Sequence, residues 1–271
     1  MQKGQKIDVV VVLPSDGRLE IILDQIEAIR WSCEQKIEIV VVDIKGCFKE
    51  LPHASIIHNK NLISCLEINR QTFCTNFAIK KILDDGIEFN SVIVLQDDAL
   101  PIKKEIDTWA LSEIKESKNV GLFGLLDLEK SNLYFWRKQK ILEVTIQMYE
   151  WRNLGNRLPP AHFILPSFEI YTKNFVDKML KDGFLSENMM RWKYEGGIFQ
   201  TWVTHIIGFE VFLHHPMTPP FFYRKSNHMD WHFQHKINEK VKIFGSTKDN
   251  KFATETETRA FFAQQRNSNK K

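Results

Sequence analysis

IDVVVVL, at residues 7–13, is a run of mostly β-branched side chains interrupted only by Asp8. Two further runs have the same character, IEIVVV at residues 37–42 and SVIVL at residues 91–95. Short apolar runs of this kind are typical of strands that are buried on both faces, as the strands of parallel sheets are. The three runs therefore predict strands of one central, mostly parallel sheet.

Amphipathic patterns lie between the predicted strands. Residues 18–31 and 69–83 carry apolar side chains at helical spacing, and the second stretch stops near Gly86. This alternation predicts an α/β protein with a Rossmann-like sheet, flanking helices and right-handed crossovers. In the second half we predict strands at 120–126, 162–165 and 209–213, and helices at 172–180, capped by Thr172, and 197–207. Residues 130–153 fit either a hairpin or an insertion.

The composition is that of an ordinary globular protein, with 43% apolar and 26% charged residues in a chain of 271. No stretch approaches the roughly 20 apolar residues of a membrane span, and Asp8 falls where a signal peptide would carry its apolar run. The four cysteines, which form no C-x-x-C pair, are Cys33, Cys47, Cys65 and Cys74. We expect free thiols in a reducing compartment, and hence a cytoplasmic protein.

Positive charge is concentrated toward the C-terminus. Residues 216–271 hold 11 Lys and Arg against 5 Asp and Glu, whereas the remainder holds 26 against 29. Either an anionic partner or a solvated tail accounts for such a segment. The strand and helix pattern also loosens after Pro216, so we divide the chain into a catalytic-type domain, residues 1–215, and a C-terminal extension or lid, residues 216–271, that packs on it.

Two adjacent acids, Asp97 and Asp98, follow the third predicted strand in VIVLQDDALP at residues 92–101. Ligands of open α/β sheets bind at the carboxyl ends of the strands, and acids grouped there need a cation or hydrogen-bond donors. Oxygen ligands without cysteine favour Mn²⁺ or Mg²⁺, whose shell is usually completed by substrate phosphates. The pattern indicates a metal that bridges Asp98 to a diphosphate; the alternative is a turn in which the acids cap the next helix.

Four motifs in about the first 100 residues resemble, in order and spacing, those of GT-A glycosyltransferases. VVVLPSDGR at residues 10–18 is similar to their first strand and donor loop, and VVVD at residues 40–43 to their second strand. NRQTFCTNFAIKKI at residues 69–82 is similar to the helix before their metal strand, and VLQDDALP at residues 94–101 to their DxD motif. The resemblance is to nucleotide-diphospho-sugar transferases, in particular to families 2 and 25.

This resemblance implies a nucleotide-diphosphate sugar as donor, UDP-linked as the first expectation, and Mn²⁺ or Mg²⁺ as cofactor. It implies Asp98 as the direct metal ligand with Asp97 beside it, and His214 or His215 as a further metal or phosphate contact. The residues that it places on the donor are Pro14, Ser15, Arg18, Asp43, Arg70, Asn76, Gln96 and Asp97. Gln96 stands where the family often has an acid, so it can bind a ribose hydroxyl but adds no charge to the metal site.

The later chain is similar to the acceptor side of the same family. AHFILPSFEIYTKNFVDKML at residues 161–180 resembles its strand and helix, as EGGIFQTWVTHIIGFEVFLHHP at residues 195–216 resembles a later segment. Where many inverting members place an acidic pair, this sequence has Gly196 and Gly197, with Glu195 one position earlier. Glu195 is thus the predicted catalytic base for the acceptor hydroxyl; otherwise the base lies elsewhere or the enzyme is a retaining one.

FFYRKSNHMDWHFQHK at residues 221–236 interleaves aromatic, basic and histidine side chains. Such a surface suits sugars, bases and phosphates, although some of the aromatics are expected to pack on the core as a lid. His228, His232 and His235 share one helical face, for which solvent or acceptor contact is favoured over zinc. Together with the positive charge of this segment, the pattern is compatible with a polyanionic acceptor, of which DNA that carries hydroxymethylated pyrimidines and a lipid-linked or capsular saccharide are two examples; the sequence does not choose between them.

The sequence thus predicts a metal-dependent hexosyltransferase that moves a sugar to an acceptor hydroxyl. A nucleotidyltransferase of related fold ranks lower, because LPSDGR at residues 13–18 offers only Gly17 and Arg18 to grip a triphosphate. A non-catalytic module that binds nucleic acid or glycan through the basic extension is the alternative of a different class.

Overall fold

The computed structural model of the protein describes residues 6–59, 70–96, 99–101, 104–115, 119–126, 164–186, 196–214, 221–223 and 267. These residues form nine strands: β1 Lys6–Ser15, β2 Ile37–Asp43, β3 Ser55–His58, β4 Glu88–Leu95, β5 Ala99–Pro101, β6 Val120–Leu126, β7 Ile164–Thr172, β8 Glu210–His214 and β9 Phe221–Tyr223. They also form five helices: α1 Leu19–Ser32, α2 Arg70–Asp84, α3 Ile106–Lys115, α4 Lys173–Lys181 and α5 Gly196–Ile206.

Seven of the strands form one sheet in the order β3-β2-β1-β4-β7-β6-β8. The ladders of β1 with β2 and β4, of β2 with β3, and of β6 with β8 are parallel. β7 runs antiparallel to both of its neighbours, so β7 alone opposes the direction of the other six. The predicted α/β class with a mostly parallel sheet is therefore confirmed.

Helices cover both faces of the sheet, which is why the central strands carry apolar residues without alternation. Val10 and Val12 pack on the face that holds α2, α4 and α5. Val9 and Val11 pack on the opposite face, against α1 and α3. All four valines have no exposed surface, and each stabilises the fold by about 1.5–3 kcal/mol relative to an exposed side chain.

β7 is the strand whose position differs most from the prediction. It runs over Ile164–Thr172, whereas the apolar pattern predicts only residues 162–165. Ser167 and Glu169 interrupt the apolar run, and this interruption hides a strand whose residues 168–171 are nevertheless buried. Thr172 occupies the predicted N-cap position of α4 but makes no cap hydrogen bond with its side chain. Its hydroxyl lies instead 3.2 Å from the carbonyl oxygen of Val120 on β6.

Part of the chain that carries predictions lies outside the described residues. This holds for residues 130–153 and for most of the extension at 216–271, of which the structure describes 221–223 and Asn267. Three of the four cysteines are described, and Cys33, Cys47 and Cys74 form no disulfide. Within the described ranges, no helix is both long enough and apolar enough to cross a membrane.

Candidate active site

The strand order reverses at β1. The chain runs outward from β1 to β2 and β3, and then returns through α2 to add β4 on the other side of β1. α1 and α2 consequently cover opposite faces of the sheet. A reversal of this kind opens a crevice at the carboxyl ends of the strands, where ligands of open α/β sheets bind. The carboxyl ends of β1 and β4 therefore define the candidate site.

Gln96 lies at the carboxyl end of β4, next to the loop that follows β1. Val12 pairs with Val94 in the parallel ladder of β1 and β4. Pro14 and Gln96 each come two residues later, so the start of the predicted donor loop and the end of the predicted metal strand meet at the same edge. Two predicted site residues that are 82 positions apart in the sequence are thereby brought together.

Asp43, at the carboxyl end of β2, uses its carboxylate to order the loop that follows. It pairs with Ser15 on β1, has no exposed surface, and accepts hydrogen bonds from the backbone N–H groups of Gly46 at 2.9 Å and Phe48 at 2.7 Å. His58 Nδ1 lies 2.7 Å from the backbone carbonyl of Asp43. The contact of Asp43 with a nucleotide base stays a prediction beside this observed role.

The loop after β1 packs directly on the loop after β2. Gly17 has a φ of +98°, and a Cβ at this position would lie 2.7 Å from Sγ of Cys47. The backbone N–H of Gly17 also lies 3.3 Å from Oγ of Ser15. The positive φ and the lack of space beside Cys47 are the two reasons why this position needs a residue without a side chain. The predicted donor loop is therefore supported by the loop that Asp43 orders.

Arg18 occupies the N-cap position of α1, at the carboxyl edge of β1. Its Nε donates to Oδ1 of Asp16 at 2.8 Å, and the two side chains are 46% and 32% exposed. An exposed pair of this kind contributes little to stability. Arg18 is nevertheless a cation at the crevice, beside a helix N-terminus, and this placement suits a phosphate.

α2 and α5 begin side by side at the same edge of the sheet. α2 leads from β3 back to β4 and α5 leads into β8, so the first turns of both helices lie at the carboxyl ends of the parallel strands. Arg70 is the first residue of α2, and Glu195 immediately precedes α5 but lies outside the described residues. Asn76 is fully buried and accepts a hydrogen bond from Nε2 of Gln200 at 3.2 Å. Asn76 thus joins the two helices, and its predicted contact with the donor stays a prediction.

Glu169, on β7, is a buried acid that the sequence reasoning missed. It is 2% exposed, and burial raises the pKa of its carboxyl to about 8. The hydroxyl of Tyr171 donates a hydrogen bond to its Oε2. Glu169 pairs with Val94 on β4, two residues before Gln96. The signal in the sequence was a single acid inside a strand of otherwise apolar and hydroxyl-bearing residues.

The backbone beside Glu169 is irregular on the side of β6. Gly124 pairs with Glu169, but the next residue, Leu125, pairs with Leu165. Three residues of β7 are therefore left out of the ladder with β6 immediately before Glu169. Bulges of this kind are over-represented next to functional sites because they redirect side chains. This one lies close to the carboxyl end of β4.

Several buried side-chain atoms near the starts of α2 and α5 have no hydrogen-bond partner. Among the residues that the structure describes, this holds for the Oγ1 atoms of Thr72 and Thr75, Nδ2 of Asn76, Oε1 of Gln200 and Oε1 of Glu169. These five residues are at most 4% exposed. A buried polar group left unpaired costs about 1–3 kcal/mol. Five such groups would together cost as much as a typical domain's net stability, so they are expected to have polar partners.

The segment that follows the two adjacent acids is paired with the C-terminal extension. β5 begins directly after Asp98, and Pro101 and Ala99 pair with Phe221 and Tyr223 of β9. Asp97 and Asp98 themselves lie outside the described residues. The aromatic segment that the sequence analysis associates with an acceptor therefore pairs, through its first three residues, with the three residues that follow Asp98 in the sequence.

The predicted histidine ligand lies at the same edge but three strands away. His214 ends β8, which is separated from β4 by β7 and β6, so the strands are about 14 Å apart at a spacing of roughly 4.8 Å. His215 lies outside the described residues. Within the part of the chain that the structure describes, no group of three His, Cys, Asp or Glu residues could hold a metal ion.

Comparison with protein-family models and with curated proteins gives no match. Solved structures do resemble the chain at low identity. One is the mannosyltransferase PcManGT from Pyrobaculum calidifontis in complex with GDP-Man and Mn²⁺, with 12% identity, a TM-score of 0.46, and coverage of 78% of this chain and 56% of that one.

Two further solved structures show similar values. The galactosyltransferase LgtC, in complex with donor and acceptor sugar analogs, has 13% identity and a TM-score of 0.42, over 71% of this chain and 69% of that one. A glycosyltransferase involved in the glycosylation of the major capsid of PBCV-1 has 11% identity and a TM-score of 0.41, over 78% and 83%. We draw no conclusion on activity from likenesses at this level.

Proposed function

We propose that the protein is a metal-dependent glycosyltransferase that uses a nucleotide-diphosphate sugar. The observation that carries the proposal is the reversal of strand order at β1, which brings the loop after Pro14 beside Gln96, the residue that precedes the acid pair in the sequence. A ligand in this crevice would meet the start of α1, which follows β1 and suits a phosphate, and the adjacent carboxylates, which follow β4 in the sequence. Few ligands need both, and a diphosphate bound to a divalent cation does.

The nucleotide would lie over the carboxyl ends of β1 and β2. Ser15 and Asp43 are paired there at the edge, and a contact between the buried carboxylate of Asp43 and a base would need the loop after β2 to move. Arg18, half exposed at the start of α1, would contact the phosphates. Arg70 at the start of α2 would contact the same group from the neighbouring helix.

Asp98 would hold the metal ion, with Asp97 beside it and His214 or His215 as a further contact. Adjacent carboxylates at the end of a strand, with no thiol among the proposed ligands, suit a hard divalent cation such as Mn²⁺ or Mg²⁺. The ion would supply positive charge against the departing diphosphate. The protein's own residues would position the donor so that its sugar faces the start of α5.

The acceptor would approach from the side of Glu195 and the C-terminal extension. Glu195 directly precedes α5, so its carboxylate would act as the base that takes the proton from the acceptor hydroxyl. β9, at residues 221–223 of the extension, pairs with β5, which begins directly after Asp98 in the sequence, and residues 216–271 carry 11 basic against 5 acidic side chains. A polyanionic acceptor, either an acidic saccharide or modified DNA, fits this charge.

The proposal is tested by combining a metal titration with substitution of the acid pair. We expect release of free nucleotide from UDP-glucose or GDP-mannose in the presence of Mn²⁺, its loss with EDTA, and a loss of at least 100-fold in Asp98→Ala. Asp84→Ala is the matched control, because Asp84 is an exposed acid on α2 that forms an ion pair with Lys80. Retained turnover in Asp98→Ala would contradict the proposal.

The same experiment separates the alternatives. A non-catalytic module that binds nucleic acid or glycan, for which the basic extension is the supporting observation, would bind equally well with EDTA and in Asp98→Ala. A nucleotidyltransferase would consume a nucleoside triphosphate and release pyrophosphate rather than free nucleoside diphosphate.

A further inference from the structure

Gln25 is a polar side chain on the apolar face of α1. It follows Ile22 by three residues and precedes Ile29 by four, so the three side chains share one face of the helix. The two isoleucines pack into the core on this side of the sheet, and Gln25 itself has no exposed surface. Burying an amide is unfavourable unless the amide is hydrogen-bonded. The contact that Gln25 makes, rather than its packing, therefore accounts for an amide at this position.

The contact of Gln25 is with the end of β4. Its Nε2 donates a hydrogen bond of 2.5 Å to the backbone carbonyl oxygen of Gln96, 71 positions later in the sequence. Gln96 is the first residue after β4, and Asp97 and Asp98 follow it in the sequence. The bond therefore fixes the point of the backbone from which the chain continues into the acid pair.

α1 also holds the chain beyond the acid pair. β5 packs against α1. Further along, the backbone N–H of Glu105 donates to the carbonyl oxygen of Ser32 at 2.7 Å. The buried carboxylate of Asp107 accepts hydrogen bonds from the backbone N–H groups of Glu34 at 3.1 Å and Gln35 at 2.8 Å, directly after the helix. The chain is thus fastened to α1 both before and after the acid pair, and the bond to the end of β4 is the fastening that directly precedes the two acids.

We propose that Gln25 is a positioning residue for the metal site. The proposal rests on the proposed function and deepens it. α1 begins at the crevice with Arg18 at its N-cap position, and two turns later it holds the carbonyl of Gln96. One helix therefore connects the proposed phosphate contact to the residue that precedes the acid pair. Gln25 touches neither metal nor substrate in this scheme, and it acts by holding the backbone from which the metal ligands extend.

Gln25→Met tests this role because it removes the hydrogen-bond donor at nearly constant volume, and Gln25→Leu is a second variant with the same expected result. Calorimetry measures the affinity for Mn²⁺ in the presence of saturating UDP or GDP. Loss of a group that orients metal ligands typically costs about 10–100-fold in metal affinity. Because Gln25 acts through the backbone, we expect the lower end of this range, about tenfold.

Hydrogen exchange gives a second readout, which needs neither metal nor nucleotide. Ala99 and Leu100 pair with β9, so their amides report the opening of the segment that follows the acid pair. Gln25→Met should make exchange there about tenfold faster, because one hydrogen bond fewer opposes the local opening.

Thr204→Val is the matched control. Thr204 is also buried, and its hydroxyl donates to a backbone carbonyl, that of Gln200 at 2.7 Å, within α5. The variant loses a hydrogen bond of the same kind without changing α1 or β4, so urea unfolding should show a similar loss of stability. Its affinity for Mn²⁺ and its exchange at Ala99 and Leu100 should match those of the wild type. Equal changes in the two variants would assign the effect of Gln25 to stability alone and overturn the inference.

Failure of the proposed function looks different from failure of this inference. If the wild type binds no Mn²⁺ with either nucleotide, the proposed function fails, and exchange alone decides on Gln25. Faster exchange in Gln25→Met but not in Thr204→Val would then retain its hold on the segment, and unchanged exchange would overturn it. If the wild type binds Mn²⁺ and Gln25→Met binds it equally well, the inference is wrong and the bond serves only the fold.

Discussion

The side-chain amide of Gln200 donates a hydrogen bond of 3.2 Å to Oδ1 of Asn76, across 124 positions of the sequence. Both residues are buried, so the bond is shielded from water and ties α5 to α2. The first turns of these helices carry Arg70 and adjoin Glu195. The bond therefore ties the helix that begins at Arg70 to the helix that Glu195 precedes in the sequence.

Breaking this hydrogen bond from one side should destabilise the protein more than removing both of its partners. Asn76→Leu leaves the amide of Gln200 buried and unpaired, and we expect a loss of about 1–3 kcal/mol in the free energy of unfolding. The double variant Asn76→Leu with Gln200→Met replaces both groups by apolar ones of similar size and should recover most of it. Urea unfolding of the four proteins measures the coupling; additive losses would show that the two side chains do not interact.

The stability of the protein should fall with rising pH because of Glu169. The pKa of this carboxyl is about 8 in the folded protein against an ordinary value of 4.5, so between these values the folded state holds a proton that the unfolded state has released. Stability then falls by up to about 1.4 kcal/mol per pH unit from about pH 5 to pH 8. Glu169→Gln, which cannot titrate, should remove this slope.

The measurement for Glu169 is urea unfolding at each pH unit from 5 to 9, with the difference between wild type and Glu169→Gln as the readout. Titration of other groups cancels in this difference. Tyr171, the titratable residue hydrogen-bonded to Glu169, has a pKa held well above 10 by burial and by the carboxyl beside it, so it does not titrate in this range. A difference that is constant with pH would contradict an acid held neutral.

Gly17→Ala should destabilise the protein through two separable effects. The φ of +98° is costly for any residue with a Cβ, and the added atom would lie 2.7 Å from Sγ of Cys47. Gly208→Ala is the matched control, because Gly208 has a φ of +90° with nothing within 4 Å of the added Cβ. We expect about 1 kcal/mol for Gly208→Ala and a larger loss for Gly17→Ala. Equal losses would mean that the two loops are not in contact.

Arg18→Ala should weaken binding of a nucleoside diphosphate without affecting the fold. The exposed pair with Asp16 contributes at most about 1 kcal/mol to stability, whereas a charge-assisted contact with phosphate contributes about 1.5–3 kcal/mol. We expect about a tenfold loss of UDP affinity and an unfolding midpoint close to that of the wild type. Asp16→Ala should not weaken binding, and a similar loss there would assign the effect to the loop rather than to the cation.

Elements buried on both faces could be predicted from the sequence, because burial leaves a direct mark on composition. β6 matches its predicted bounds, residues 120–126, and the starts or ends of β1, β2 and β4 differ by only a few residues. β3 was missed because SIIH is only four residues long. β7 was misplaced because Glu169 breaks its apolar run.

The contacts that assemble the candidate site could not be predicted in the same way. The packing of Gly17 on Cys47 and the hydrogen bond between Gln200 and Asn76 join segments that carry no local signal for each other. The sequence does predict which edge of the sheet collects Ser15, Asp43 and Gln96, because the carboxyl ends of parallel strands must coincide. It does not reveal that Asp43 also orders a loop.

The pairing of β5 with β9 has a consequence for how the protein matures. It joins residues that are between 120 and 124 positions apart, and both partners are only three residues long, so little local structure helps them to meet. A nascent chain can pair β1, β2 and β4 long before residue 223 leaves the ribosome. Among the described strands, the pair beside the acid pair therefore forms last, and a chain cut short after β8 would retain all seven strands of the large sheet while lacking β9.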